Sequence, residues 1–242
     1  MLHRVRAAEV RLKQLVRARS HAVHAASFVP LGIAVKLYGG TDKLLHAYTA
    51  PYSRHFRRVR YRRNRVLEIG VGGYDSRDIG GSLRVWRDYF PRSQIFGLDI
   101  HEKDVRLGPR VRFVRGDQSS DEDLGRLLAE MDGPPDIVID DGSHFVGHAL
   151  ASLACLFPRM PGGGIYAIED LHTSYWADWG GAVPAPESSS VGLVRGLVDA
   201  VQDNDPTFTW SGVGVGPAPA PHWLADVNAL HVYPGLAILE KG

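Results

Sequence analysis

The chain has 242 residues, of which 44% are hydrophobic and 23% charged. This composition excludes a disordered chain, and the length suits one α/β domain with a short addition. No apolar run approaches the roughly 18 residues of a membrane span. The single cysteine, Cys155, excludes a disulfide-stabilised secreted domain. We therefore expect a cytoplasmic protein in which Cys155 belongs to the core.

The net charge of +1 conceals a division of charge along the chain. Residues 1–65 carry 15 Lys and Arg against two acidic residues, whereas residues 66–242 carry 13 basic and 25 acidic residues. Regions of opposite charge attract one another, and a basic segment can also bind phosphate-rich partners. Because no aromatic residues are interleaved with the arginines of residues 4–19, we favour packing or self-association, as a homodimer, over nucleic-acid binding.

An amphipathic helix is predicted over residues 3–27, because the apolar residues of this basic segment fall on one stripe. Such a stripe is typical of a helix that covers a core or a partner subunit, and a membrane-surface helix is the alternative. A Gly-Gly-Thr-Asp turn at residues 39–42 ends the segment. Residues 1–41 are therefore predicted to form a basic helical arm, followed by one domain over residues 42–242.

From residue 65 onward, apolar strands alternate with helical segments. Strands are predicted at residues 66–70, 94–99, 111–116, 136–140 and 163–168. Helices are predicted at residues 83–90, 121–131, 148–157 and 191–202. This alternation is typical of βαβ units with right-handed crossovers. The sequence therefore predicts a doubly wound, mostly parallel α/β sheet that closes with an antiparallel hairpin at residues 230–239.

Glycines follow the first predicted strand in the segment Glu68-Ile-Gly70-Val-Gly72-Gly73. Glycines at this place let the backbone approach a ligand closely. The segment is not a dinucleotide-binding motif, because the third glycine of that motif would fall at Asp75. The acid before the glycines instead favours a cationic or hydroxyl-bearing ligand, and a purely structural turn is the alternative.

Polar residues also follow the next two strands. Asp99 ends the second strand, where a doubly wound fold hydrogen-bonds a ribose, although an acid there can also be a plain strand-end cap. Asp117 and Gln118 follow the third strand and suit the edge of an adenine. Together with Glu68, this arrangement resembles the S-adenosylmethionine site of class I methyltransferases.

Carboxylates cluster after the fourth and fifth strands. Asp141 lies in Asp-Asp-Gly-Ser-His, and Glu169 and Asp170 follow the fifth strand. Clustered carboxylates repel one another unless a cation or shared protons neutralise them, and oxygen ligands favour Mg²⁺. His144 lies three residues from Asp141, close enough to act on a hydroxyl held there. Scattered, solvated strand-end acids are the alternative.

Longer motifs resemble those of the metal-dependent sugar O-methyltransferases of actinobacterial glycoside and macrolide pathways. They lie at residues 42–56, 67–74, 97–100, 116–118, 139–144, 168–171 and 175–176. The resemblance implies a class I methyltransferase fold, a sugar or oligosaccharide acceptor, and S-adenosylmethionine and Mg²⁺ as cofactors. The compact size and the Arg/Ala-rich arm also resemble the mycobacterial methyltransferases of methylmannose polysaccharide assembly.

The resemblance implies roles for particular residues within a catalytic domain over residues 42–242. Asp141, Glu169 and Asp170 would hold Mg²⁺, and His144 would be the general base. The residues expected to bind the cofactor are Glu68, Gly70, Gly72, Tyr74, Asp99, Asp117, Gln118 and Asp140. A catechol-type O-methyltransferase and a nucleic-acid-binding protein on a methyltransferase scaffold are the alternatives.

Three aromatic residues follow the metal motif on a predicted loop: Tyr175, Trp176 and Trp179. Exposed rings there could stack on the face of a sugar. Burial as anchors of the loop is the alternative.

Overall fold

The computed structural model describes residues 30–38, 41–72, 80–145, 147–203 and 225–242. The helix predicted over residues 3–27 and the predicted cofactor ligand Tyr74 lie outside these residues. Within the described ranges, no helix combines the length and the apolar character that crossing a membrane requires.

The fold is built on a seven-stranded sheet. Its strands are β1 (Arg65–Ile69), β2 (Gln94–Asp99), β3 (Val111–Arg115), β4 (Ile137–Asp140), β5 (Ile165–Ile168), β6 (Val227–Tyr233) and β7 (Leu236–Lys241). They lie in the order β3-β2-β1-β4-β5-β7-β6, with β1 to β5 parallel and β7 antiparallel to both of its neighbours. The predicted doubly wound sheet and closing hairpin are confirmed. The strand order reverses between β1 and β4, which is where ligands bind in open α/β sheets.

Helices cover both faces of the sheet. They are α1 (Leu31–Tyr38), α2 (Thr49–Phe56), α3 (Gly81–Tyr89), α4 (Asp121–Glu130), α5 (His148–Leu156) and α6 (Ser190–Asp203). Two short 3₁₀ segments, Leu171–Tyr175 and Ala177–Trp179, follow β5. The four helices predicted from periodicity are confirmed, whereas α1 and α2 were not predicted. Ser120 caps α4 by accepting a hydrogen bond from the Asp123 backbone N–H.

The core has two layers, one on each face of the sheet. Alternate residues of a strand point to opposite faces, so Val66 packs with α1, α2 and α3, whereas Leu67 packs with α4, α5 and α6. Cys155 is buried in the second layer, as predicted. Both faces of the central strands are therefore buried, which is typical of parallel sheets.

Helix α1 attaches the end of the predicted arm to the domain. It buries Leu31, Ala34 and Val35, whose spacing places them on one face. The Tyr38 hydroxyl donates a hydrogen bond to Asp88 on α3. Burial and this carboxylate raise the pKa of Tyr38 to about 12. Residues 30–38 therefore pack against the sheet domain, while the rest of the predicted arm lies outside the described residues.

Candidate active site

The carboxylates predicted to bind a metal share one edge of the sheet. Strands β4 and β5 are parallel neighbours, and Asp140 pairs in register with Ile168. Asp141 follows β4, and Glu169 and Asp170 follow β5, so all three emerge at the carboxyl ends of adjacent strands. The backbone N–H of Glu169 donates to the Asp140 carbonyl over 2.9 Å, which continues the ladder up to this edge.

Asp141, His144 and Asp170 bring their potential ligand atoms within 4.8 Å of one another. His144 Nε2 lies 3.8 Å from Asp141 Oδ1 and 3.6 Å from Asp170 Oδ2. His144 and Asp170 both adopt left-handed backbone conformations, with φ of +58° and +52°. Such strain in residues other than glycine concentrates at functional sites. Two hard carboxylate oxygens suit Mg²⁺, and the imidazole beside them is placed to accept a proton.

A buried lysine that sequence reasoning did not single out occupies the inner side of this cluster. Lys43 Nζ donates to Asp141 Oδ2 and to Glu169 Oε1, each over 2.8 Å, and lies 3.4 Å from Glu68 Oε1. The side chain is 1% exposed. Glu169 is thereby drawn towards Lys43, and its carboxylate is not part of the cluster of Asp141, His144 and Asp170.

The charges of this buried group are only partly compensated. Burial raises the pKa of Glu169 well above its ordinary value, repulsion from Asp141 adds to the rise, and Lys43 opposes it. Burial also raises the pKa of Asp141 against the pull of Lys43. Burial alone would lower the pKa of Lys43, but the surrounding carboxylates raise it well above its ordinary value. The single ammonium therefore remains charged and leaves a negative excess that favours binding of a cation.

Two tyrosines at helix α2 fix the carboxylates that follow β5. The Tyr52 hydroxyl donates to Glu169 Oε1 over 2.5 Å. The Tyr48 hydroxyl lies 2.8 Å from Asp170 Oδ1 and 3.0 Å from the Gly235 carbonyl oxygen, to either of which it can donate. Both side chains are buried. Helix α2 therefore sets the positions of two of the three predicted metal ligands.

The glycines after β1 and β4 are required by close contacts among the loops that follow β1, β3 and β4. Gly70 has φ of +83°, and a Cβ there would overlap the Asp141 carbonyl oxygen. A Cβ at Gly142 would overlap Gln118 Oε1. The loop that carries Asp141 is held against the glycine-rich turn, which keeps both at the switch point of the sheet.

Asp99 lies beside the glycine-rich turn. Its Oδ2 accepts a hydrogen bond from the Val71 backbone N–H over 2.9 Å, and its Oδ1 accepts one from the His101 N–H over 2.8 Å. Lys103 Nζ lies 3.1 Å from Asp99 and donates to the Gly72 carbonyl over 2.8 Å. The end of β2 is therefore tied to the turn after β1. Contact of Asp99 and Gly72 with a cofactor stays a prediction.

Asp117, predicted to bind the cofactor after β3, accepts hydrogen bonds from its own loop. Its Oδ1 accepts from the Ser119 backbone N–H over 2.8 Å and from the Ser119 hydroxyl over 2.7 Å. These bonds lower the pKa of Asp117. The carboxylate therefore stays ionised at the same edge of the sheet as Asp99.

Glu68, also predicted to bind the cofactor, is fully buried below the turn. It accepts hydrogen bonds from the Ser82 hydroxyl over 2.6 Å and from Trp86 Nε1 over 3.0 Å, both on α3. Burial raises the pKa of Glu68, which Lys43 and these donors oppose. Its observed partners join β1 to α3, and its contact with a cofactor stays a prediction.

Gln118 and Asp140 form a second internal network. Asp140 accepts hydrogen bonds from the Ser152 hydroxyl, the Tyr166 hydroxyl and Gln118 Nε2 over 2.6 to 3.0 Å. Gln118 Oε1 accepts from the Ser143 backbone N–H over 2.8 Å. Both residues are buried. Their observed partners hold the segment between Asp141 and His144 in place, and cofactor binding by either residue stays a prediction.

The aromatic residues after β5 divide between exposed and partly buried. Tyr175 is 41% exposed and Trp176 is 48% exposed, whereas Trp179 is half-buried. Tyr175 and Trp176 are therefore not buried anchors of their loop.

Comparison with known proteins finds no matching family model. The chain is 45% identical over 202 residues to the mycinamicin VI 2''-O-methyltransferase of Micromonospora griseorubida, which covers 82% of this chain and 49% of the relative. It is 44% identical over 215 residues to the 8-demethyl-8-alpha-L-rhamnosyl tetracenomycin-C 2'-O-methyltransferase of Streptomyces olivaceus, which covers 88% of this chain and 55% of the relative.

Comparison with solved structures also finds similarity to a methyltransferase. The MycE methyltransferase from the mycinamycin biosynthetic pathway, in complex with Mg and SAH, superimposes with a TM-score of 0.78 at 42% identity, over 88% of this chain and 54% of that one. A second MycE structure, which also contains mycinamycin VI, gives a TM-score of 0.77. The class I methyltransferase fold is therefore confirmed. The chain spans about half the length of the curated relatives it matches.

Proposed function

We propose that this chain, whose relatives are sugar O-methyltransferases of actinobacterial antibiotic biosynthesis, transfers a methyl group from S-adenosylmethionine to a sugar hydroxyl. The observation that carries the proposal is the meeting of Asp141, His144 and Asp170 at the carboxyl edge of β4 and β5. This edge adjoins the switch point between β1 and β4, so a cofactor at the glycine-rich turn and a hydroxyl at the acids would be neighbours.

The cofactor would lie in the crevice above β1 and β2. Gly70 and Gly72 leave the turn free of side chains, and Asp99 would hold the ribose hydroxyls. Asp117 would contact the adenine end of the crevice. The sulfonium of S-adenosylmethionine is cationic, so the negative excess around Asp141 favours its binding at the same edge.

Asp141 and Asp170, together with Glu169, would hold Mg²⁺. Their oxygen donors suit this ion, and the observed partners of Glu169, Lys43 and Tyr52, orient its carboxylate. The bound ion would supply positive charge beside the acceptor hydroxyl and make that hydroxyl a stronger acid. Lys43 favours the ionised forms of Asp141 and Glu169 against the effect of burial, and it would hold both carboxylates in position for this role.

His144 would accept the proton of the hydroxyl. The hydroxyl oxygen would form the new bond to the methyl carbon as the bond from that carbon to sulfur breaks, with its electron pair going to sulfur to give a neutral thioether. His144 Nε2 would take the proton. Neither carboxylate lies within 3.5 Å of this nitrogen, so it is free among the described residues to take the proton.

The acceptor is proposed to be a sugar within a glycoside. This choice is supported by the relatives, which are named for mycinamicin VI and for a rhamnosyl tetracenomycin. A polysaccharide is the alternative acceptor. We also propose that the protein is a homodimer and that it is located in the cytoplasm.

The deciding experiment follows transfer of a labelled methyl group from S-adenosylmethionine to methyl glycosides, aryl glycosides, a macrolide glycoside and catechol. We expect methylation of a glycoside in Mg²⁺, loss of activity in a chelator and recovery when Mg²⁺ is restored. In Asp141→Asn, activity and its dependence on Mg²⁺ should be lost together. Methylation of catechol alone would identify a catechol-type enzyme, and activity that survives exhaustive chelation would contradict the metal site.

A further inference from the structure

Two histidines and a carboxylate meet between helix α2 and the closing hairpin, away from the candidate active site. His55 lies in the last turn of α2, His231 on β6 and Glu240 on β7. Their potential ligand atoms lie within 4.8 Å of one another. His231 pairs in register with Ile238, two residues from Glu240, so His231 and Glu240 lie on the same face of the hairpin. The three side chains therefore converge from three separate elements.

The spacing of these atoms suits a small tetrahedral metal ion. His55 Nδ1 lies 3.0 Å from Glu240 Oε1, and His231 Nε2 lies 3.7 Å from the same oxygen. A zinc ion holds nitrogen and carboxylate oxygen ligands at about 2.0–2.2 Å, so two ligand atoms of a tetrahedral site lie roughly 3.3 Å apart. The two observed distances fall on either side of this value.

Further polar groups hold the outer atoms of two of these side chains. His55 Nε2 lies 2.9 Å from the Tyr233 hydroxyl, which fixes the ring with Nδ1 directed at Glu240. Arg58 donates to Glu240 Oε2 over 2.7 Å, which leaves Oε1 directed at the histidines. Histidines and carboxylates that bind a metal are typically oriented by such a bond on their other polar atom. The cluster therefore has both the ligand atoms of a metal site and the partners that orient them.

Burial and charge indicate which ion the cluster would take. The side chains of His55 and Glu240 are 5% and 13% exposed, whereas that of His231 is 39% exposed, so water can reach the cluster from the side of His231. The charge of Arg58 balances that of Glu240, so an ion must be held by the imidazole nitrogens rather than by an excess of negative charge. Nitrogen ligands suit Zn²⁺, whereas Mg²⁺ prefers oxygen.

We propose that His55, His231 and Glu240 bind one zinc ion, with water as the fourth ligand. The ion takes the place of the proton in the hydrogen bond between His55 Nδ1 and Glu240 Oε1, and this proton is released to solvent. The bound ion joins α2 to the hairpin. Because α2 also carries Tyr52, which donates to Glu169, the ion fixes the helix that orients a predicted magnesium ligand. The zinc site does not depend on the proposed function.

The test is calorimetric titration of the full chain with zinc chloride, after treatment with a chelator and in saturating Mg²⁺ to occupy the carboxylates of the candidate active site. Wild type should bind zinc at this site with one ion per chain. His231→Ala should weaken that binding at least 100-fold, because it removes a ligand. Tyr233→Phe should weaken it about tenfold, as expected for loss of a group that orients a ligand. His101→Gln is the matched control, because His101 is an exposed histidine of the loop after β2, and it should leave the affinity unchanged.

Absence of a saturable zinc site in wild type would overturn the proposal, and so would equal zinc affinity in wild type and His231→Ala. A loss in His101→Gln as large as that in His231→Ala would also overturn it. If His231→Ala does not fold, Glu240→Gln replaces it, because this variant keeps the size of the side chain and removes the charged ligand. Zinc should also raise the urea midpoint of wild type but not that of the variant that lacks a ligand, and equal shifts in both would contradict the site.

Discussion

The acids at the two halves of the sheet edge differ in how the protein compensates their charge. After β2, the Asp99 carboxylate accepts two backbone N–H groups and lies beside Lys103. After β4 and β5, Asp141 and Glu169 share the one ammonium of Lys43. In the first arrangement, local donors compensate the negative charge of the carboxylate. In the second, one ammonium faces two carboxylates and leaves an excess of negative charge.

The pKa values follow this difference. Hydrogen bonds from Ser119 lower the pKa of Asp117, which follows β3 on the compensated side. Burial raises the pKa of both Asp141 and Glu169 on the other side. Asp117 therefore stays ionised without a ligand and suits neutral hydroxyl groups, whereas an uncompensated buried cluster gains most from a cation. The proposed division of roles between cofactor and metal would therefore follow from the local donors.

The largest effect on activity is expected at His144, the proposed general base beside the uncompensated carboxylates. His144→Ala should lower kcat by about 10²–10⁴-fold, because a general base typically contributes that much. Binding of S-adenosylmethionine, measured by calorimetry, should be unchanged. His148→Ala is the control: His148 is a neighbouring histidine whose Nδ1 lies 2.7 Å from the Ser143 hydroxyl. A His144→Ala enzyme within threefold of wild type would show that His144 is not the base.

Replacement of Lys43 or Lys103 by methionine, in separate variants, tests the comparison directly. Lys43→Met removes the ammonium that Asp141 and Glu169 share and leaves the buried Glu169 carboxylate with the Tyr52 hydroxyl but no cation, so it should lower the free energy of unfolding by about 3–5 kcal/mol. Lys103→Met should cost about 1 kcal/mol, because Asp99 keeps its two backbone N–H donors. Urea unfolding measures both. Added Mg²⁺ should recover part of the loss in Lys43→Met only, and equal losses in the two variants would contradict the comparison.

The compensated side is tested through the cofactor. Asp99→Ala should weaken binding of S-adenosylmethionine about tenfold or more, since loss of a hydrogen bond to a charged acceptor typically costs about 1.5–3 kcal/mol. Calorimetry at fixed salt measures the change. Asp104→Ala is the control, because Asp104 is an exposed acid of the same loop that pairs with Arg106. Unchanged affinity in a folded Asp99→Ala protein would remove Asp99 from the cofactor site.

Much of the fold could be predicted because it depends on local patterns. The strands β1 to β5 are short apolar runs with acids or glycines at their ends, and the helices after β1 and β3 show apolar periodicity. Helix α1 was missed because Pro30 interrupts the apolar run, although proline commonly stands at a helix start. Helix α2 was missed because it buries Tyr52, His55 and Phe56, two of which carry polar atoms.

The candidate site, too, could be predicted only in part from the sequence. The resemblance to sugar O-methyltransferases is confirmed, and the strand-end rule indicated that Asp141 and Asp170 would meet. Lys43 could not be assigned because its partners lie 98 and 126 residues away and lysine is rarely buried. The internal partners of Glu68 and Asp140 could not be predicted from the sequence either, because only packing decides which side of a strand end faces a ligand.

Glu240 on β7 lies away from the candidate site and is a further carboxylate whose partners can be compared with those of Asp99 and Asp141. His55 Nδ1 lies 3.0 Å from Glu240 Oε1, Arg58 donates to Oε2 over 2.7 Å, and His231 Nε2 lies 3.7 Å from Oε1. Burial opposes these partners, but the net effect lowers the pKa of Glu240. The other ring nitrogen of His55, Nε2, lies 2.9 Å from the Tyr233 hydroxyl. This carboxylate, like Asp99, is compensated by the protein itself.

The smallest expected effect is a pH dependence of stability that arises from His55. Burial lowers the pKa of His55 below its ordinary 6.5, and the positive charge of neighbouring groups adds to this, whereas Glu240 opposes it. The unfolded state therefore binds more protons at this group, so the contribution of His55 to stability falls as the pH is lowered through 6.5, by at most about 1.4 kcal/mol per pH unit, whereas the raised pKa of Glu169 acts in the opposite direction. The lowered pKa of Glu240 acts only below its ordinary 4.5. Urea unfolding at pH 7.5 and 5.5 should show a smaller loss in His55→Gln than in wild type, and His101→Gln, at an exposed histidine, should match wild type. Equal losses in His55→Gln and wild type would show that His55 does not set this slope.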